Sequence, residues 1–146
     1  IASYSALEIL THHILRTDAL WSKDLLSRSK FEDKLRAAAA FVGLYDDPLE
    51  HVTALRNTAK SQNNIDGYAL LSSVRNSIVH AEKTFRVSGF ELRALWEVSQ
   101  WLVEIFTFYL IGYTGLMADR RRMTGWRGEG TRNVPIRSNR LSENCQ

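Results

Sequence analysis

From Phe90 to Ile111 the chain is apolar almost all the way round a helix, with Leu92, Leu95, Trp96, Val98, Trp101, Leu102, Val103, Ile105, Phe106, Phe108, Tyr109 and Leu110 between them. Ser88 and Glu91 have the spacing of a capping box, which fixes where that helix opens. A membrane span needs about twenty predominantly apolar residues. Here Arg93, Glu97, Gln100 and Glu104 interrupt the run at intervals too short for that. A helix apolar on most faces is buried on most faces. The segment is therefore expected to be the central helix of a bundle, and a candidate to continue into a subunit interface.

Shorter helical patterns surround it. Ser3 or Ser5 can cap a first helix whose apolar face carries Leu7, Leu10, Ile14, Trp21 and Leu25. A second runs from Phe31 to about Val42, with the small Ala37–Ala40 run favouring close helix approach and Gly43 as its C-terminal cap. Asp47, Pro48 and Glu50 read as the cap, first turn and capping-box partner of a third, with Leu49, Val52, Leu55 and Ala59 inward. After a polar loop, Asp66 or its neighbour caps a fourth helix, carrying Leu70, Leu71, Val74 and Ile78 and ending near His80 or Ala81. No strand-forming alternation, phosphate-binding glycine loop, nucleophile elbow or repeat is present in the sequence. The expected fold is all-α, a bundle of about five helices over residues 1–112 with an irregular basic arm over 113–146, in a single domain.

The lone Cys145 excludes an internal disulfide and a cysteine-built metal site, and fits a reducing cytoplasm. His12 and His13 are adjacent, so they point about 100° apart and share a metal poorly. No metal and no cofactor are expected. Charge is uneven: Ala118 to Gln146 holds seven arginines against three acids, a balance of +4, while the remainder balances to −1. Such a tail either neutralises phosphates or is simply solvated. The chain opens on Ile1 with no signal-peptide pattern, so it is expected to be part of a longer protein.

The chemistry-bearing stretch is Arg75-Asn76-Ser77-Ile78-Val79-His80. On a helix Asn76 and His80 share a face, while Arg75 and His80 are about 140° apart. Arg75 must swing its side chain round, or the helix must loosen, for the two to meet. His51 and Arg56 have the same spacing, and are read as structural or solvent-facing.

The hexapeptide resembles the R-x4-6-H motif of HEPN domains, in the form Arg-Asn-x3-His. Together with Leu110–Leu116, Arg120–Arg122, Trp126-Arg127-Gly128-Glu129 and Val134-Pro135-Ile136, it resembles the ApeA-type HEPN domain of bacterial anti-phage proteins, from about Leu35 to Ile136. The resemblance implies a HEPN-like bundle, a homodimer whose two motifs line one cleft, and a separate sensing domain before this one. RNA, with tRNA one candidate, would be the substrate, and the setting cytoplasmic with no membrane.

RNA carries its own nucleophile, the 2′-hydroxyl, so its cleavage needs a proton acceptor and a phosphate clamp and no metal. Histidine, with an ordinary pKa of about 6.5, suits the proton step. Arginine suits the phosphate because its fork donates paired hydrogen bonds and stays charged. The expected roles are His80 as general base or acid, Arg75 as phosphate clamp and Asn76 as positioning residue. Lys83, Arg86 and Arg120, Arg121 and Arg122 are candidate RNA contacts, though two cations on a loop are also commonplace. Trp126 either stacks on a base or anchors the arm. The reading is a metal-independent endoribonuclease, an effector in anti-phage defence. The alternatives are a non-catalytic module that binds RNA or mediates dimerisation, and a purely structural bundle with His80 at a helix end and Arg75 in a surface ion pair.

Overall fold

The structure, a computed structural model, describes residues 2–63, 65–80, 88–122 and 130–137; the side chains of 78–80 lie outside it. It is all-α apart from one short ribbon. Helix α1 (Ala2–His13) passes directly into a π-helical turn, Ile14–Asp18, and Leu20 at φ 58° ends the run. The wider π turn lets the adjacent Ile14 and Leu15 both face inward with no exposed surface. One continuous face from Leu7 to Leu25 is thereby broken, and Leu25 is 46% exposed on a separate short helix, α2 (Lys23–Arg28). Ser22 caps α2, its Oγ accepting from Leu25 N at 3.1 Å. Ser3 and Ser5 lie inside α1 and do not cap it; Ser3 is buried and accepts from Gln100 Nε2 at 2.5 Å.

Helix α3 (Phe31–Phe41) ends where expected. Gly43, at φ 75°, donates to the Ala40 carbonyl and Leu44 to that of Ala39, which satisfies the last carbonyls in a left-handed cap. The third helix begins later than Asp47. Asp47 Oδ1 accepts from Leu49 N at 2.9 Å and its carbonyl from Glu50 N, making a turn. That carbonyl also accepts from Arg121 Nη1 at 2.8 Å, and Leu49 is buried against Gly67, so tertiary contacts hold the turn and α4 (Thr53–Ser61) starts after it.

Helix α5 (Gly67–His80) is capped by Asp66, whose Oδ1 accepts from Ala69 N at 2.8 Å. It runs antiparallel to α3, tied by Arg36 to Asp66 (2.6 and 2.9 Å) and Ser72 to Glu32 (2.6 Å). Helix α6 (Gly89–Leu110) opens on the expected capping box: Glu91 N donates to Ser88 Oγ at 3.2 Å and Ser88 N to Glu91 Oε2 at 2.8 Å. It packs most extensively against α1, and Leu95, Val98, Trp101, Leu102, Ile105 and Phe106 form the centre of the core. Burial all round holds only for part of its length, because Phe90, Leu92 and Trp96 stay exposed near its start. Among the described residues, no helix is long and apolar enough to cross a membrane.

The described part of the arm carries a short ribbon where the sequence implied only irregular chain. β1 (Leu116–Ala118) pairs antiparallel with β2 (Thr131–Asn133), Leu116 opposite Asn133 and Ala118 opposite Thr131, and Ile136 bridges to Leu44. Strands of three residues are too short to show alternation, so no strand signal is readable.

Candidate functional site

Arg75 leaves α5 on the side facing α1. Its Nη2 donates to Glu8 Oε2 at 2.9 Å, its Cζ lies 5.4 Å from the centre of the Phe31 ring, and Nη1 makes a long 3.4 Å contact with Asn76 Oδ1. The helix remains regular to His80, so of the two ways Arg75 and His80 could approach, the loosened helix is not taken. Asn76 is exposed, and position 80 follows it one turn later on the same face. The His80 side chain lies outside the described residues, as do Lys83 and Arg86. With side chains 28% and 45% exposed, the Arg75–Glu8 pair contributes about 0–1 kcal/mol to stability.

The arm arginines have a different situation. Arg121 is corrected from RNA contact to core ion: its side chain has no exposed surface. Its guanidinium stacks 3.6 Å from the centre of the Trp101 ring and donates to Asp119 Oδ1 and Oδ2 (2.9 and 2.7 Å), Asp46 Oδ2 (3.0 Å) and the Asp47 carbonyl. Arg132 Nη1, half-buried, joins Asp46 Oδ2 at 2.6 Å, so Asp46 and Asp119 share the guanidiniums of Arg121 and Arg132 in one knot. Burial alone would raise the Asp119 carboxyl, but the Arg121 hydrogen bonds and nearby guanidinium charges more than offset it and hold it below the ordinary range. Arg120 and Arg122 keep 41% of their side chains exposed, yet each already has an acid: Glu104 at 2.5 Å for Arg120, Asp119 at 3.6 Å for Arg122. Arg122 also reaches the His51 ring, and burial, then the Arg122 charge, lowers that imidazole's pKa. Trp126 and Arg127 lie outside the described residues. Among the described residues no hydrogen bond or ion pair joins this arm cluster to Arg75.

Glu8 and Asp46 are the residues that sequence reasoning missed. Glu8 is 67 positions from Arg75, and only its place beside the buried stripe of α1 could have hinted at a partner. From Glu8 an open groove of ≈ 390 Å³ runs along α1 past Ile9, His12, His13, Arg16 and Thr17. Among the described residues no three His, Cys, Asp or Glu side chains converge on a metal position.

These elements define a helical-bundle domain with an Arg-Asn-x3-His helix end and a hairpin arm locked onto it by buried ion pairs. The chain belongs to the YopA C-terminal domain family, which it matches over residues 1–131. No curated protein and no solved structure matches it.

Proposed function

We propose that this domain is a HEPN-like, metal-independent endoribonuclease that acts in the cytoplasm as an effector of anti-phage defence. The observation that carries the reading is the Arg75 guanidinium, held half-exposed beside Asn76 on the helix that ends in His80. The family description names no activity, so the reading rests on these residues and on the helical fold that presents them.

In the proposed reaction the His80 imidazole takes the proton of a ribose 2′-hydroxyl. The 2′-oxygen attacks the adjacent phosphorus, Arg75 offsets charge on the phosphoryl oxygens, and the 5′-oxygen leaves with a proton. The products are a 2′,3′-cyclic phosphate and a 5′-hydroxyl. One imidazole per chain serves one of the two proton transfers, so a homodimer that faces two motifs across one cleft supplies the other. Arg120 and Arg122 remain candidate contacts for the RNA backbone, with Lys83 and Arg86 beside the motif. A sensing domain ahead of this one in the full-length protein completes the proposal.

Purified protein incubated with cellular RNA in the presence of a chelator is expected to cut it, and His80→Ala to leave it intact while keeping its fold. Equal cutting by both proteins contradicts the assignment. The second reading is a module that binds RNA without cutting it, favoured by the Glu8 carboxylate already seated on Arg75. It predicts RNA affinity with no cyclic-phosphate product.

A further inference from the structure

We propose that Glu8 on α1 is a positioning residue for the Arg75 guanidinium in the cleavage reaction, an inference that rests on the ribonuclease reading above. Helix geometry alone points Arg75 about 140° away from His80. The guanidinium nevertheless ends with Nη1 3.4 Å from Asn76 Oδ1, on the face that continues to His80. Two groups from other helices fix it there: the Phe31 ring on α3, 5.4 Å from Cζ, and Glu8 Oε2, 2.9 Å from Nη2. Phe31 is buried at 9% exposure and is a fixed surface, whereas Glu8 supplies the directional contact.

The arrangement leaves the clamp usable. A guanidinium has five N–H donors. Among the described residues that of Arg75 makes single bonds from Nη2 to Glu8 and from Nη1 to Asn76, which leaves Nε–H and the other Nη hydrogens for two phosphoryl oxygens. Glu8 thus takes up the rotational freedom of a long side chain before substrate arrives, and a preorganised clamp acts in the chemical step more than in binding.

Single-turnover cleavage of a single-stranded RNA at high enzyme concentration, which reads slow variants, separates this role from a structural one. Glu8→Ala is expected to slow the cleavage step about ten- to hundredfold, with the enzyme concentration for half-saturation changing less than about threefold. Glu8→Gln, whose amide oxygen still accepts from Arg75, recovers part of the rate. In an Arg75→Ala background the Glu8→Ala change has no further effect, because there is no guanidinium left to position. Glu8→Ala protein that cuts as fast as wild type or faster overturns the inference, as does an undiminished Glu8 effect without Arg75. Wild-type protein that cuts no RNA removes the ribonuclease reading and this role together; a cutting wild type with unimpaired Glu8→Ala removes only the role.

Discussion

Arg75 and Arg121 both lie over aromatic rings and both donate to carboxylates, but their surroundings assign them opposite tasks. Arg121 is sealed between Trp101 and two carboxylates, and removing it leaves the buried Asp119 with only the 3.6 Å contacts of Arg122 and Arg132, while Asp46 keeps Arg132 at 2.6 Å. Arg121→Ala is expected to cost about 3–5 kcal/mol, measured by urea unfolding. Arg75→Ala, whose partner Glu8 is 45% exposed and can be hydrated, should cost under about 1 kcal/mol and instead slow RNA cleavage severely, to a residual rate read in single turnover. The knot also sets an acid limit. Asp119's folded pKa is depressed, so its contribution is fully present above the unfolded value of about 3.9 and is lost as pH falls through the folded value. Urea unfolding across that range should show wild-type stability falling at acid pH, and Asp119→Asn weaker at neutrality with a shallower dependence. The Arg-Asn-x3-His stretch was legible as a polar trio beside a buried stripe. Which arginine of the Arg120–Arg122 triplet is buried was not, because that depends on Asp46, 75 positions away in the chain.

Helix boundaries follow the same division between local and distant causes. The α6 start and the α3 end were legible because Ser88, Glu91 and Gly43 act on backbone groups within a few residues of themselves. Asp47 failed as a helix start because Arg121 Nη1 and the packing of Leu49 on Gly67 stabilise a turn there, and neither is visible locally. The break in the first helix is another case, since the π turn at Ile14–Asp18 exchanges a continuous stripe for two adjacent buried residues. Ser88→Ala removes the acceptor of Glu91 N and should cost about 1 kcal/mol by thermal or urea unfolding. Gly43→Ala should cost about 1–2 kcal/mol, because its φ is 75° and the added Cβ would meet Arg137 Cβ at 3.2 Å.

At the scale of the molecule, the described part of the basic arm is less free than its composition suggests. Among its described residues, Arg120, Arg121 and Arg132 pair with acids of the bundle, Asp46 taking Arg121 and Arg132 and Glu104 taking Arg120. The all-α fold and the central helix could be read from periodicity, whereas this neutralisation needed the chain to be folded back on itself. On the proposed function, contacts to RNA would come from individual exposed guanidiniums and not from the net charge of the arm. The most direct test of the account is the chemistry of the cut ends, read by treating the RNA fragments with enzymes specific for cyclic phosphates and for 5′-hydroxyls. Chelator-treated wild-type protein should leave 2′,3′-cyclic phosphate and 5′-hydroxyl ends that vanish with His80→Ala. Fragments bearing 5′-phosphate ends, or ends unchanged by that substitution, would contradict it.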